Sequence, residues 1–387
     1  MNVKKKKRVL TLVGNPHNVN ERGGSNYFFL RAAQEVNFLD LGVSTQPKKL
    51  SAYRIIWNIV SWLGRSEFGG FQYSKLFLNR LFAQSSIGSN PTEFISRFQL
   101  LPPLPWKQNW EVNYYIDATL RQIFDDYGLA ARVGKTIKED ALRREKEGYT
   151  KAQRIICMSS WAATSVVNSY NISSSKVHII PGGANLREDL LPDIDIKANI
   201  PESLNPLRLG FIGKNWQRKG LPLILRVAEV LHQRGIAVEV AVMGVSPQDL
   251  PKHSLMKPLG FVNKSNDIER FVELVSQFHF GCLFSLAEAF GISNLECLRL
   301  GVPVLANRTG GIPDTVPEGL GFLFEPGSSP KIIADLLESF VSHPNEYYQL
   351  RDRVAARAEE FTWQRTVEKF IKVWQGSEEF LYDATKR

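Results

Sequence analysis

The sequence predicts an α/β protein with two domains, each built on a parallel β-sheet. Its 387 residues exceed the roughly 250–300 residues beyond which a single hydrophobic core stops growing. In both halves of the chain, short apolar runs alternate with stretches of helical spacing, which indicates parallel strands covered by helices. A proline-rich break separates the halves and is typical of a domain boundary.

The first half opens with a strand, a glycine-bearing loop and a helix. The apolar run 8–14 ends in glycine and predicts a buried parallel strand. A polar loop follows and closes on Gly23-Gly24, and a helix is expected from Ser25 to Glu35. This order is typical of the first unit of a Rossmann-like domain.

The remaining elements of the first half are predicted from apolar, β-branched runs and from charged stretches. Strands are expected over 94–101, 112–116, 154–158 and 177–180, and helices over 138–150 and from Trp161. Residues 53–83 are aromatic and basic, and the apolar residues from Ile55 to Leu63 fall at helical spacing. We expect an amphipathic helix that packs on its own domain. The alternative is a surface that faces a membrane or a lipid acceptor.

The second half repeats the alternation of strands and helices. Strands are predicted over 207–212, 237–243, 278–284 and 302–306, and helices over 221–234, 267–277 and 363–382. Two such units in tandem place a cleft between them, with the carboxyl ends of the strands facing it.

The domain boundary follows from the break near the middle of the chain. Pro181-Gly182-Gly183 ends a strand, and further prolines follow it. The predicted divisions are a Rossmann-like domain over 1–190, a linker over 191–206, a second Rossmann-like domain over 207–362 and a C-terminal helix over 363–387 that crosses back to the first domain.

Composition and charge indicate a globular protein that binds an anionic ligand or surface. Hydrophobic residues make up 43% of the chain, which excludes a disordered protein. The formal net charge is +9 at pH 7, which suits a phosphate-bearing small molecule or an acidic lipid surface. Part of this charge lies in the run 4–8, which we interpret as a solvated tail. Nucleic acid is not expected, because no motif of a nucleic-acid reader is present.

The cysteines and the apolar segments indicate a cytoplasmic protein. Cys157, Cys282 and Cys297 are odd in number and widely spaced, so they form neither a disulfide framework nor a zinc site. The sequence shows no secretion signal and no apolar stretch long enough to span a bilayer. We expect a cytoplasmic location, with peripheral contact at the inner face of an anionic membrane.

The most informative segment, 287–296, follows a strand and enters a short helix. The N–H groups at a helix start attract phosphate, and Gly291 allows a ligand to approach the backbone. Carboxylates in this segment could accept hydrogen bonds from ribose or sugar hydroxyls, and Glu288 has no obvious structural partner in the sequence. Glu296 has a competing interpretation, because Ser293 and Glu296 have the spacing of a helix-capping box.

A second group of candidate residues lies in the loop 213–220, directly after a strand. It carries three cations, Lys214, Arg218 and Lys219. Fixed cations in a dry cleft stabilise the charge that builds on a leaving diphosphate. The alternative is a solvated basic turn.

Two candidates lie in the first half. Gly23-Gly24 could let backbone amides approach phosphate or sugar, although turn formation is a comparable reason for paired glycines. Asp117 follows a strand, where α/β proteins place their chemistry, but it could instead cap the next helix. The Asp-x-Asp pattern at Asp193 and Asp195 lies in the predicted linker rather than at a strand end, so we do not expect it to hold a metal. P-loop and GxGxxG patterns are absent.

At these residues the sequence resembles the family 4 retaining glycosyltransferases of the GT-B architecture. The signature is a Glu, seven residues and a second Glu, here Glu288 and Glu296. Supporting matches are Phe290-Gly291, 301–304, 310–313, the loop 213–220 and the stretches 159–163 and 177–185.

The resemblance implies a fold, a reaction and a set of contacts. The first domain would lie on the acceptor side, and the second would bind a nucleotide-sugar donor linked to UDP or GDP. Glu288 would contact the hydroxyls of the transferred hexose, and Glu296 would hold the ribose diol. Lys214 and Lys219 would bind the diphosphate, helped by the backbone amides from Phe290 through Gly291 and Ile292 to Ser293. Gly23-Gly24 would lie beside the phosphates.

The implied reaction retains the anomeric configuration and needs no cofactor and no metal. The acceptor would be a hydroxyl of a glycan, a lipid or a small molecule. Three positions depart from the family pattern: many members have Arg in place of Lys214, His in place of Asp117 and Pro in place of Phe284. Lys at position 214 would lose bidentate phosphate binding. The alternative function is a non-catalytic, or differently reacting, GT-B protein that binds a sugar nucleotide.

Overall fold

The structure is a computed structural model that describes residues 6–85, 87, 92–191, 201–264 and 266–385. Most of the predicted linker, with Asp193 and Asp195, lies outside the described residues. The chain divides into two compact units. One contains the chain up to Pro181 together with the chain from Val367 onward, and the other contains Gly182–Thr366.

The first unit contains a parallel sheet of six strands in the order β2-β1-β3-β4-β5-β6. Its strands are β1 (Lys7–Thr11), β2 (Leu41–Val43), β3 (Thr92–Ser96), β4 (Trp110–Ile116), β5 (Arg154–Cys157) and β6 (Val177–Ile179). Its helices are α1 (Ser25–Glu35), α2 (Ser51–Arg65), α3 (Lys75–Phe82), α4 (Leu120–Asp125), α5 (Lys135–Lys151) and α6 (Ser160–Thr164). The strand order reverses between β1 and β3, so the loops after these two strands flank a switch point, where α/β sheets bind ligands.

The second unit contains a parallel sheet of six strands in the order β12-β11-β10-β7-β8-β9. Its strands are β7 (Leu207–Ile212), β8 (Val238–Met243), β9 (Met256–Gly260), β10 (Phe280–Leu283), β11 (Val304–Asn307) and β12 (Gly321–Phe324). Its helices are α7 (Leu221–Gln233), α8 (Ile268–Ser276), α9 (Ile292–Arg299), α10 (Pro330–Ser342) and α11 (Pro344–Ala356). Here the order reverses between β7 and β10.

The last helix, α12 (Trp363–Trp374), leads into the C-terminal residues, which pack on the sheet of the first unit. The ring of Phe370 lies 5.1 Å from that of Phe29 and 4.8 Å from that of Tyr115. Trp374 donates from its indole nitrogen to the Glu93 carboxylate at 2.6 Å. The predicted extension of this helix to residue 382 is wrong, because the chain turns at Gly376 with a φ of 93°.

The amphipathic helix predicted in the aromatic and basic stretch 53–83 is α2, and α3 follows it after a break at Gly69 and Gly70, whose φ values are 78° and 88°. The expectation that the apolar side chains of α2 pack on their own domain is wrong. Between Ile55 and Leu63 these side chains are exposed by 49–72%, except the half-buried Trp57. Within the described part of the chain, no helix is long and apolar enough to cross a membrane.

A buried carboxyl group, Glu145, ties α5 to the start of α4. Its Oε1 accepts hydrogen bonds from the backbone N–H of Leu120 and from the hydroxyl of Tyr149, both at 2.8 Å, and its Oε2 accepts one from the hydroxyl of Tyr170. Burial raises the pKa of Glu145 to about 7, although these hydrogen bonds oppose the shift. The stability that this hydrogen-bond network gives the folded chain therefore depends on pH.

Replacing Glu145 with Gln is expected to flatten the pH dependence of stability. The pKa of Glu145 is higher in the folded than in the unfolded chain. The stability that its protonation contributes is therefore complete below about pH 4.3, since that is the ordinary pKa of Glu, and is lost as the pH rises through about 7. Over this pH interval the free energy of unfolding of the wild type should fall by on the order of 1–3 kcal/mol. That of the Glu145→Gln variant should not show this fall. Urea unfolding at about pH 5 and about pH 8 measures the difference. A Glu139→Gln control on the exposed side of α5 should behave as the wild type, and equal slopes in all three proteins would contradict the expectation.

Candidate active site

Three loops of the second unit meet where adjacent strands of the sheet end. The loop after β7 spans 213–220, the loop after β10 spans 284–291, and a turn at 308–311 follows β11. Strand β10 pairs with β7 on one side and with β11 on the other. The predicted cations and carboxylates therefore lie at one edge of one sheet, next to its switch point.

Glu288 binds two of the three predicted cations. Its Oε2 lies 3.1 Å from Lys219 Nζ and 3.3 Å from Arg218 Nη1, and it accepts a hydrogen bond from Ser285 Oγ at 3.2 Å. Arg218 Nη1 also donates to the carbonyl of Ala287. The Glu288 side chain is only 14% exposed, so the structure gives it the partners that the sequence did not reveal.

The backbone holds these loops together. The N–H of Leu286 donates to the carbonyl of Arg218 at 2.8 Å, and the N–H of Gly311 donates to the carbonyl of Glu288 at 3.2 Å. A Cβ on Gly310 would lie 2.0 Å from that same Glu288 carbonyl, and one on Gly220 would lie 2.2 Å from the carbonyl of Phe284. Glycine is required at both positions because real Cβ atoms do not come that close to an oxygen.

The start of α9 follows the pattern of an anion site. Gly291 precedes the helix with a φ of 94°, and the first turn carries the half-buried Ile292 and Ser293. Phe290, which precedes Gly291, is buried. Backbone N–H groups at such a helix start carry partial positive charge and bind phosphate.

The capping interpretation of Glu296 is wrong. The residue that precedes α9 is Gly291, so Ser293 lies inside the first turn instead of at the N-cap. The Glu296 side chain is 3% exposed and accepts a hydrogen bond from Lys264 Nζ. That ammonium group also lies 5.2 Å from the centre of the Phe271 ring. Lys264 belongs to the loop after β9, and sequence reasoning missed it because no local pattern links it to Glu296.

Lys214 occupies a different environment from the other two cations. It is exposed, and its Nζ lies 5.4 Å from the centre of the exposed ring of Phe261. No contact in the described part of the chain joins Lys214 to Glu288.

Two buried polar atoms beside the Glu288 loop are without hydrogen-bond partners among the described residues. They are Asn307 Oδ1, at the end of β11, and Thr309 Oγ1, two residues later. Asn307 reaches the loop through its Nδ2, which donates to the carbonyl of Ser285 at 3.4 Å. Unpaired buried polar atoms are rare in folded proteins.

The candidates of the first unit lie after β1 and after β4. Gly23 and Gly24 have φ values of 74° and 90°, and Gly24 precedes α1 at the switch point of the first sheet. Asp117 directly follows β4 and is exposed. The alternative that Asp117 caps the next helix is wrong, because Thr119 caps α4 and forms a capping box with Gln122.

Comparison with known proteins finds a family likeness in the second unit. Residues 193–361 match the family model described as glycosyl transferases group 1. This part of the chain is therefore similar to the members of that family. The match covers the Glu288 and Glu296 segment and all three loops around it. Among the described residues, no three His, Cys, Asp or Glu side chains are grouped as metal ligands would be.

Curated relatives and solved structures extend the likeness beyond this unit. A D-inositol 3-phosphate glycosyltransferase of Paenarthrobacter aurescens is 25% identical over 239 residues, which are 58% of this chain and 58% of that protein. The aligned region thus spans under two thirds of the relative's length. A sucrose-phosphate synthase from Thermosynechococcus elongatus superposes with a TM-score of 0.65 at 15% identity, covering 96% of this chain and 98% of the other.

A third comparison protein was solved with a sugar nucleotide. HepE from Anabaena, in complex with UDP-glucose, superposes with a TM-score of 0.58 at 15% identity and covers 96% of this chain and 100% of its own. At such identities the likeness establishes the fold. The α/β fold with two parallel sheets that the sequence predicted is confirmed, and it is the two-domain GT-B fold.

Proposed function

We propose that the protein is a retaining glycosyltransferase that moves a hexose from a UDP- or GDP-linked donor to a hydroxyl group. The observation that carries the proposal is the contact of Glu288 with Arg218 and Lys219, beside the start of α9 at the switch point of the second sheet. At this edge, cations and a helix N-terminus suit a diphosphate, and carboxylates suit sugar hydroxyls.

The diphosphate of the donor binds at the cationic loop. Arg218 and Lys219 are held in place by Glu288 and need little reorganisation to meet two phosphates. Lys214 adds a third cation from the same loop, and the backbone N–H groups at Phe290, Gly291, Ile292 and Ser293 contact a phosphate oxygen. Together these groups stabilise the negative charge that develops as the diphosphate leaves.

The two carboxylates bind the two sugars of the donor. Glu288 accepts hydrogen bonds from hydroxyls of the transferred hexose. Glu296 accepts hydrogen bonds from the ribose diol, and Lys264 keeps this buried carboxylate compensated before the donor arrives. The names of the relatives and the UDP-glucose bound in HepE support a sugar-nucleotide donor.

The transfer step forms one glycosidic bond and breaks another. The bond between the anomeric carbon and the phosphate oxygen breaks, and the acceptor oxygen attacks the same face of the sugar. Its proton passes to the departing phosphate, so no metal and no enzyme nucleophile is needed. The acceptor is a glycan, a lipid or a small molecule, met in the cytoplasm beside an anionic membrane.

A thermal-shift screen against UDP, GDP and their sugars, without added metal, tests donor binding. A ligand at about a hundred times its dissociation constant should stabilise the protein by about 2.7 kcal/mol. We expect this shift with one nucleotide family and its loss in Glu296→Ala, because the ribose diol loses its acceptor. The control is Glu325→Ala, which removes a 73% exposed carboxylate from the same unit and should keep the shift. A folded wild type that responds to no nucleotide would overturn the proposal, and a shift without turnover would favour a non-catalytic binder.

A further inference from the structure

The amphipathic helix α2 is oriented opposite to the usual arrangement in a globular domain. Its inward positions are Trp57, Asn58 and Ser61, which are half-buried or buried. Asn58 Oδ1 accepts a hydrogen bond from the N–H of Gly69 at 3.3 Å, and the ring of Trp57 lies 5.8 Å from that of Phe71. The polar side of α2, which in most amphipathic helices faces solvent, therefore packs against its own domain.

The opposite side of α2 is a continuous apolar stripe. At 3.6 residues per turn, its members share one half of the helix surface, and each is exposed by 49–72%. They are Ile55, Ile56, Ile59, Val60, Trp62 and Leu63. The stripe continues past the end of the helix, where the exposed Phe68 stacks on Trp62 with 6.0 Å between ring centres. Contiguous apolar surface of this kind marks an interaction site.

The segment around the stripe is basic. Residues 41–92 contain six cations and a single acid, Glu67, and Glu67 is already hydrogen-bonded to the backbone N–H and hydroxyl of Thr136. Lys48 and Lys49 are exposed directly before α2, and Arg54 is exposed on its first turns. Arg80 on α3 lies over the ring of Tyr53 at 4.1 Å and donates to its hydroxyl. Positive charge thus lies at the N-terminal end of the stripe, at Lys48 and Lys49, and at one edge of it, where Arg80 meets Tyr53.

We propose that α2 lies in the interface of an anionic lipid bilayer, with the stripe among the acyl chains and the bordering cations at the lipid phosphates. The helix has 15 residues, which suits a position along the surface rather than across the bilayer. Trp62 supplies an aromatic ring of the type enriched at membrane interfaces. A second copy of this chain does not fit as well, because the same cations would face each other across a symmetric contact. The proposal does not depend on the transferase activity.

Flotation with lipid vesicles tests this surface. Vesicles of phosphatidylcholine alone are compared with vesicles that also contain phosphatidylglycerol, at low and at high salt. We expect the wild type to bind the anionic vesicles and the double variant Ile56→Ser/Ile59→Ser to bind them at least tenfold more weakly. The control is Ile332→Ser, which alters a similarly exposed side chain on α10 (56%) and should leave binding unchanged. Lys48→Glu/Lys49→Glu should lower binding and its salt dependence, whereas Lys331→Glu on α10 should not.

Three outcomes would overturn the proposal. The first is failure of the wild type to float with anionic vesicles, and the second is equal binding of the wild type and Ile56→Ser/Ile59→Ser. The third is a wild-type protein that forms a dimer and does not bind vesicles, while the double variant is a monomer. The last result would assign the stripe to a second copy. The nucleotide-induced thermal shift, measured on the same proteins, separates this proposal from the proposed function. Vesicle binding without a nucleotide shift would leave the membrane surface standing while the donor assignment falls.

Discussion

Replacing Glu288 with Gln is expected to lower the rate of sugar transfer by about 10²–10³-fold. The substitution keeps the size of the side chain and removes its charge. Lys219 Nζ and Arg218 Nη1, at 3.1 and 3.3 Å from Oε2, then lose the anion that positions them. In the proposed reaction the transferred hexose would lose a charged acceptor for its hydroxyls, and charged hydrogen bonds are roughly twice as strong as neutral ones.

The measurement is the release of nucleoside diphosphate from the donor that the thermal-shift screen identifies, with and without acceptor. Donor affinity and melting temperature are recorded on the same samples. The loss should fall on kcat more than on KM, because the charge matters most as the diphosphate leaves. The matched control is Glu325→Gln, which removes another Glu of the second unit whose carboxylate pairs with an arginine, Arg308, but on the exposed surface.

Two results would contradict a role for Glu288 in the reaction. One is a Glu288→Gln variant that turns over at the wild-type rate. The other is a rate loss that only follows a fall in melting temperature, since Glu288 would then serve the stability of the loops. A Lys219→Gln variant distinguishes the contact of Glu288 with Lys219 from its contact with Arg218. If Lys219 acts on the diphosphate, this variant should lose donor affinity as well as rate.

The carboxylates of this site could be predicted because one short run contains both. Residues 287–296 connect a buried strand to a helix, so the local pattern alone places Glu288 and Glu296 near each other. Arg218 and Lys219 could also be predicted, since parallel strands end at the same edge of a sheet and these residues follow another strand. Lys264 could not, because it reaches Glu296 only through tertiary packing from the loop after β9.

The strands that sequence reasoning missed lie at sheet edges. Strands β2, β9 and β12 each form an outer strand of their sheet. Edge strands are covered less completely than central ones and lack the continuous apolar run that identifies a buried parallel strand. Pro258 inside β9 weakens the signal further, since proline is tolerated only at such edges.

The helix α2 shows a second limit of sequence patterns. Helical spacing of Ile55, Ile59 and Leu63 correctly predicts a helix, but periodicity does not say which side faces the protein. The usual preference for burying the apolar side gave the wrong orientation here. On the inward side lie Asn58, whose Oδ1 accepts a hydrogen bond from the N–H of Gly69, and the buried Ser61.

Replacing Gly220 with Ala is expected to destabilise the second unit by about 3 kcal/mol or more. Gly220 precedes α7 with a φ of 85°, where a side chain costs about 1–2 kcal/mol. Its added Cβ would also lie 2.2 Å from the carbonyl oxygen of Phe284, which is backbone and cannot rotate away. Either β10 or the loop 213–220 must shift, so the cations move relative to Glu288.

Gly235 provides a matched control at the other end of the same helix. Its φ is 81°, and an added Cβ would meet nothing within 4 Å. Gly235→Ala should therefore lose only the cost of the left-handed backbone, about 1–2 kcal/mol, and should keep its nucleotide-induced thermal shift. Gly220→Ala should lose both stability and the shift, as measured by urea unfolding and the nucleotide screen. Equal destabilisation of the two variants would show that the close approach of Gly220 to Phe284 is not what holds the cationic loop beside Glu288.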